Sequence, residues 1–240
     1  MKNVLITGAS SGIGAALVRE YSANGWQVTA CGRDTSRLQA LADETGCSLV
    51  EFDVADRAAC VGKLTELSTA WDLVVLNAGT CEYVDDVKRF DARLFERVMQ
   101  VNVLGTANCL EALLPKLQAG SRVAIVGSMA TYLPFERASA YGGSKAALAY
   151  MAGSLATDLA PHGVGVSLVS PGFVETPLTD KNDFKMPMII TAEQAAHSIK
   201  QGLDKGKHHV CAPWLFCAIL RVLGRLPAAW RVGLAKRMVK

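Results

Sequence analysis

The amino-acid sequence predicts an α/β fold, a three-layer, doubly wound parallel sheet of seven strands with helices on both faces. Seven short apolar runs of strand length alternate with stretches of helical periodicity along most of the 240 residues. The runs are mainly apolar without strict alternation, as strands buried on both faces are. Crossovers between parallel strands are right-handed, which leaves a doubly wound sheet as the economical arrangement.

The first run, Lys2 to Thr7, leads into Thr7-Gly8-Ala9-Ser10-Ser11-Gly12-Ile13-Gly14. Ile13, Ala16, Leu17 and Tyr21 then recur at helical spacing, so this reads as strand, glycine turn and a helix over 12–24. Such a turn suits a phosphate, because glycines let the backbone approach an anion closely and the N–H groups of the helix start point at it. The G-x-x-x-G-x-G spacing differs from the G-x-G-x-x-G of the commonest dinucleotide turn. Taken alone, a glycine-rich turn without a ligand is the competing reading.

Further strands are expected at 27–31, 49–53, 73–77, 122–127, 164–169 and 208–212, with helices near 35–45, 56–69, 91–118, 140–161 and 191–204. Ligands of such sheets bind beyond the carboxyl ends of the strands. Thr7, Gly32, Asp53, Asn77, Ser128 and Ser170 fall at those ends. The segment 173–190, with prolines and mixed charge, is expected to be a mobile loop over the cleft.

Half of the residues are hydrophobic and a fifth are charged, as in ordinary globular chains. The length suits one domain over 1–240, with 214–240 a basic amphipathic tail. No run approaches a membrane span, and Met1-Lys2-Asn3 enters a strand directly, so no signal peptide and a cytoplasmic location are expected. The cysteines at 31, 47, 60, 81, 109, 211 and 217 show no C-x-x-C and no regular spacing with His, which predicts reduced, mostly buried thiols and no metal.

The net charge of +3 hides an asymmetry. After Asp204 there are eight basic residues and no acidic one, while the rest of the chain sets 17 basic against 22 acidic side chains. The tail therefore favours an anionic partner. Nucleic acid is not expected, since no basic stripe interleaved with exposed aromatics occurs elsewhere. Over 214–226, Leu215, Ile219, Val222 and Leu226 share one helical face opposite Arg221 and Arg225. That helix could lie peripherally on an anionic membrane, close the substrate cleft or bury a dimer contact.

Tyr141-Gly142-Gly143-Ser144-Lys145 places a tyrosine and a lysine on one face of a helix, roughly 6 Å apart along its axis. A nearby ammonium stabilises phenolate and draws the tyrosine pKa toward neutrality, which makes an acid/base group. A surface pair is the bland alternative. Ser128 lies thirteen residues upstream at a strand end, Asn77-Ala78-Gly79 ends the fourth strand, and Asn102 lies in the long helix that follows.

With the opening turn, this set in this order resembles the short-chain dehydrogenase/reductase family over Lys2 to about Pro213. The resemblance implies a Rossmann fold and an NADP-dependent oxidoreductase that moves hydride between nicotinamide and a carbonyl/secondary alcohol pair. By it, Tyr141 is the acid/base and Ser128 polarises the substrate oxygen. Lys145 binds the nicotinamide ribose and lowers the tyrosine pKa, and Asn102 holds a water in the proton path. A helix-kink role for Asn102 is compatible with this.

Gly8, Ser10, Ser11, Gly12, Ile13, Gly14, Asn77, Ala78 and Gly79 would hold the cofactor, with Asp53 and Val54 at the adenine and Pro171, Gly172, Val174 and Thr176 on the nicotinamide side. Gly32 stands where NAD-specific members carry a carboxylate, and Arg33 where NADP-preferring members pair with the 2′-phosphate. NADP is therefore expected over NAD; Asp34 could instead be a ribose ligand, and it is read in preference as the N-cap of the helix from Thr35. Leu76 departs from the asparagine many members have there. The substrate is expected to be hydrophobic, and the family's habits imply a homodimer or homotetramer. A dinucleotide-binding regulator without turnover is the alternative function.

Overall fold

The structure, a computed structural model, describes residues 1–238. Its seven strands are β1 (Asn3–Thr7), β2 (Gln27–Gly32), β3 (Ser48–Glu51), β4 (Leu73–Leu76), β5 (Arg122–Val126), β6 (Gly165–Pro171) and β7 (His209–Ala212). They form one parallel sheet in the order β3-β2-β1-β4-β5-β6-β7, the predicted doubly wound Rossmann arrangement. The order reverses between β1 and β4, so the crevice at that switch point lies beside the glycine turn.

Alternate residues of each strand feed two cores, one on either face. Val4, Ile6 and Val75 pack with Leu17 and Tyr21 of helix α1 (Gly12–Ala23) and with Ile199 of α7 (Ala192–Asp204). Leu5, Val74 and Leu76 pack on the other side with Leu64 of α3 (Arg57–Glu66), Leu113 of α5 (Gly105–Leu113) and Leu148 of α6 (Ser139–Leu159). Helix starts are fixed locally. Asp34 accepts from Arg37 N at 3.0 Å and caps α2 (Thr35–Thr45), as the sequence predicts. Thr191 and Gln194 form a reciprocal capping box on α7.

Three expectations are corrected. The helix predicted over 91–118 is α4 (Ala92–Met99), a π segment (Gln100–Leu104) and α5, closed by a 3-10 turn containing Pro115. The widened turn coincides with Asn102, whose side chain bonds to Thr80 instead of lying along the helix.

The tail helix predicted over 214–226 ends sooner, as α8 (Trp214–Leu223), and a further helix α9 (Ala228–Met238) follows. Gly224 lies against the Tyr132 carbonyl, which a Cβ there would meet at 2.9 Å. The buried stripe of α8 is Phe216, Cys217 and Leu220, packed against Met129 and Leu133, while Leu215, Ile219 and Val222 face outward. Both stripes are apolar, and the inward one fits the sheet edge. Lys240 of the basic tail lies outside the described residues.

Cys211 and Cys217 are joined as a disulfide, contrary to the expectation of free thiols. Their Cα atoms are 6.0 Å apart across the turn from β7 into α8. No helix among the described residues is long and apolar enough to cross a membrane.

Candidate active site

The glycine turn is held from behind by β4. Thr7 Oγ1 accepts from the backbone N–H of Asn77 and Ala78 at 3.0 and 3.1 Å, and Asn77 Nδ2 donates to the carbonyls of Thr7 and Gly8 at 3.0 and 3.2 Å. Gly14 has no room for a side chain, because a Cβ would come within 2.1 Å of the Gly8 carbonyl oxygen. Gly8, at φ +64°, sits in the left-handed region that glycine adopts without strain. Ser11 is the N-cap of α1 but makes no side-chain cap bond, and the first turn, which contains Ile13, carries no acidic residue. The helix start is therefore open to an anion.

Beyond the turn, Ser10 Oγ lies 3.6 Å from where a Gly32 Cβ would be, at the end of β2. Arg33 follows, with its side chain 74 % exposed and Nη1 3.4 Å from Asp53 Oδ2. Asp53 also accepts from Ala55 N, and the Val54 carbonyl accepts from Asn108. With Asp34 committed to its cap, Arg33 and Ser10 are the polar side chains available at this corner.

At the other end of the crevice, Asn102 is completely buried. Its Oδ1 accepts from Thr80 N at 2.7 Å, and its Nδ2 donates to Thr80 O and Ser144 Oγ, both at 2.9 Å. A Cβ on Gly79 would lie 3.2 Å from Asn102 Oδ1 and 3.3 Å from Lys145 Nζ, so Gly79 keeps the gap between these two side chains. Asn102 is thereby a clasp between the π segment, the loop after β4 and α6. Its side-chain bonds go to protein groups, where the sequence reading expects a held water.

Ser128 follows β5 and accepts from Ala130 N at 3.1 Å. Tyr141 and Lys145 rise from the first turns of α6. Lys145 Nζ donates to the Val126 carbonyl at 2.9 Å and lies 5.8 Å from the centre of the Tyr141 ring. Burial drives the lysine pKa down to about 8 and the tyrosine pKa up to about 12, the latter opposed by a hydrogen bond with Ser128. The protein groups alone therefore leave Tyr141 a neutral phenol. The expected lowering of its pKa by Lys145 is not seen, because burial raises the phenol and only the hydrogen bond with Ser128 opposes it.

Ser128 and Tyr141 open onto a pocket. Its walls are mainly apolar, chiefly Tyr83, Phe135, Phe173, Phe184, Phe216 and Leu220; Glu136 is the one charged residue in its lining, beside the polar Thr179 and Asn182. Phe173 packs against Phe184 and Phe216, with ring centres 6.1 and 5.8 Å apart.

The loop over this pocket is fastened at its base and its tip. Val174 bridges to Ile190, Tyr83 Oη donates to Asn182 Oδ1 at 2.7 Å, and Arg137 Nη1 donates to Asp183 at 2.8 Å while its Nε bonds Asp85 at 2.9 Å. Thr176 of the same loop rests on Gly12, where a Cβ would meet its methyl at 2.9 Å. At the loop's origin, Pro171 ends β6 and Gly172 N donates to Ala212 O at 2.9 Å.

The structure thus brings Ser128, Tyr141, Lys145 and Asn102 together, and gathers Gly8, Gly12, Gly14, Asn77, Ala78 and Thr176 around the glycine turn. Arg33, Asp53 and Val54 lie along the far corner. The sequence reading missed the aromatic wall and the Arg137 clasp. Their residues are scattered between 83 and 220 without periodic signal, and the 173–190 loop contributes only Phe173 and Phe184.

A family model described as short chain dehydrogenase matches residues 2–186. The chain is 34 % identical over 247 aligned positions to an uncharacterized oxidoreductase of Myxococcus xanthus, covering 99 % of this chain and 97 % of that one. It is 31 % identical to a serine 3-dehydrogenase of Agrobacterium fabrum, over 85 % of this chain and 89 % of the relative. Among solved structures, BdcA in complex with NADPH is similar with a TM-score of 0.78 and 27 % identity, over 88 % of this chain and 93 % of that chain.

Proposed function

The chain belongs to the short-chain dehydrogenase family, and on that premise we propose that it is an NADP(H)-dependent oxidoreductase acting on an uncharged, apolar carbonyl/secondary alcohol pair. The observation that carries this reading is Tyr141 beside Ser128 at the mouth of a pocket with aromatic walls and no cationic lining residue.

The residues present fit a dinucleotide. A helix start without a side-chain cap, a glycine turn that tolerates no Cβ at Gly14, and Ser10 with Arg33 at the β2 end supply a diphosphate cradle and a phosphate-binding corner. Gly8, Ser10, Ser11, Gly12, Ile13 and Gly14 would hold the diphosphate side. Asp53 and Val54 would flank the adenine, with Asn77, Ala78, Gly79, Pro171, Gly172, Val174 and Thr176 toward the nicotinamide. The similarity to a protein solved with NADPH supports the choice of NADP, with NAD the alternative. When bound, the cofactor supplies or accepts the hydride.

In reduction, Tyr141, a neutral phenol in the folded chain, gives its proton to the substrate oxygen. Ser128 donates a hydrogen bond to the same oxygen as negative charge develops there. Lys145, once turned from the Val126 carbonyl toward a ribose, stabilises the resulting phenolate. Asn102 acts as a positioning residue, holding α6 and the Thr80 loop in register. Self-association through α4, α5 and α6 is part of this reading, and Leu104 and Tyr150, 50 % and 82 % exposed, support it.

The test is NADPH oxidation across a series of apolar ketones and aldehydes, with Tyr141→Phe as control. Turnover should fall by about 100-fold or more in the variant while NADPH binding is retained. Full turnover in Tyr141→Phe would exclude the proposed acid. NADPH binding with no turnover on any carbonyl would favour a binding protein without catalysis.

A further inference from the structure

A second cleft lies on another face of α8, lined there by Trp214, Cys217, Ala218 and Arg221, where the substrate pocket takes Phe216 and Leu220. Lys205, Lys207 and Arg221 line it together with His209 and Trp214, and no carboxylate is among its lining residues. Its floor holds the Cys211–Cys217 disulfide. Cys217 is buried, whereas Cys211 is part-exposed to the cleft. His209 Nε2 lies 3.7 Å from Cys211 Sγ, and Tyr132 Oη lies 3.7 Å from Cys217 Sγ. Three cations and a sulfur pair in one recess match a small molecule that is both anionic and thiol-bearing.

We propose that Cys211–Cys217 is a reversible thiol–disulfide site addressed by an anionic low-molecular-weight thiol, and that its state governs how firmly α8 walls the substrate pocket. The incoming thiolate attacks Cys211 Sγ, the reachable sulfur. A bond forms between the small thiol and Cys211, the Cys211–Cys217 bond breaks, and Cys217 leaves as a thiolate that accepts a hydrogen bond from Tyr132 before taking a proton from water. A second thiolate attacks the small-molecule sulfur of the mixed disulfide and frees Cys211 as a thiolate, which is likewise protonated. Two electrons pass from two small thiols, which become one disulfide, to the two protein sulfurs. The small disulfide reverses the sequence.

The link to the pocket is short. Cys217 neighbours Phe216, which lines the pocket with Leu220, packs on Phe173, and lies so close to Gly172 that a Cβ there would be 3.0 Å from its ring. While the disulfide is intact, it ties this wall to β7. Reduction leaves α8 held by its apolar stripe and the Tyr132–Cys217 contact, without the covalent tie, so the wall loosens. This second half rests on the reading of the apolar pocket as the substrate site.

The full chain is incubated with reduced glutathione or with uncharged 2-mercaptoethanol at equal thiolate concentration, then alkylated and mapped by mass spectrometry. Two additional labelled cysteines, 211 and 217, are expected, with glutathione about fivefold faster and that advantage lost in Arg221→Gln. Labelling of both cysteines before any reductant, or stoichiometric zinc bound at the pair, would overturn the disulfide site. An unchanged glutathione advantage in Arg221→Gln would overturn the docking.

Hydrogen exchange of 214–223 should quicken on reduction, and the apparent KM for an apolar carbonyl should change severalfold with little change in kcat. Unchanged exchange would overturn the coupling, as would an unchanged KM. If the enzyme turned over nothing in either state, the functional reading would fall, while labelling and exchange would still decide the thiol site.

Discussion

Lys145 Nζ donates to the Val126 carbonyl and sits 5.8 Å from the Tyr141 ring. Its pKa of about 8 in the folded chain lies below its ordinary 10.5, so between these values the unfolded chain binds more protons and stability from this group rises with pH. Lys145→Met removes that dependence. Below pH 8 the variant should gain on the order of a few kcal/mol from losing a buried charge, less about 1 kcal/mol for the lost hydrogen bond. The difference from wild type should shift toward wild type as pH climbs from 8 to 10.5. Urea unfolding of both proteins across that range checks this, and parallel pH curves would refute it.

Asn102→Ala strips partners from Thr80 N, Thr80 O and Ser144 Oγ at once. Each buried group left unpaired costs about 1–3 kcal/mol, so a loss of about 3 kcal/mol or more is expected by denaturant unfolding. Asn102→Asp should be no better. It replaces a donor with an acceptor facing the Thr80 carbonyl. Retention of wild-type stability in either variant would show that the clasp is not what holds the π segment.

Arg33→Ala should raise the KM for NADPH about tenfold or more and leave that for NADH nearly unchanged, as expected from removing a charge-assisted bond to a 2′-phosphate. Equal effects on both nucleotides would assign Arg33 to its contact with Asp53 instead.

Arg137 is left-handed at φ +61° and joins Asp85 to Asp183, with its guanidinium 5.3 Å from the centre of the Tyr83 ring. Arg137→Gln should loosen the 173–190 loop. Trypsin should then cut faster after Lys181 or Lys185, and the substrate KM should rise about three- to tenfold while kcat changes less. Unaltered proteolysis would mean that the apolar contacts of Phe173 and Phe184 hold the loop unaided.

The sequence made local features readable. The glycine turn and the Asp34 cap depend on near neighbours and lie where the spacing puts them, whereas the strand ends are met only to within two residues, β3 stopping at Glu51 short of Asp53 and β6 running on to Pro171. The π segment was hidden because its cause is a bond from Asn102 to Thr80, 22 residues earlier. Both faces of α8 are apolar, so periodicity could not choose between Phe216 with Leu220 and Leu215 with Ile219. The sulfur pair depends on how the chain turns from β7 into α8, and no spacing rule for Cys211 and Cys217 encodes that. The tetrad was legible as a set only through its family resemblance, because a serine, a tyrosine and a lysine at these separations meet only after β5 and α6 are docked.

The contact of Thr176 on Gly12 ties events at the two ends of the crevice into a timetable. The loop that roofs the substrate pocket also rests on the turn that would grip the diphosphate. On the proposed reading, a nucleotide gripped there would have to slide in before that loop settles and would be last to depart. Steady-state kinetics should follow an ordered sequence, with the oxidised nucleotide competitive against the reduced one and the alcohol product noncompetitive against both the reduced nucleotide and the carbonyl. A random order would mean that Thr176 lifts away independently of the rest of the roof.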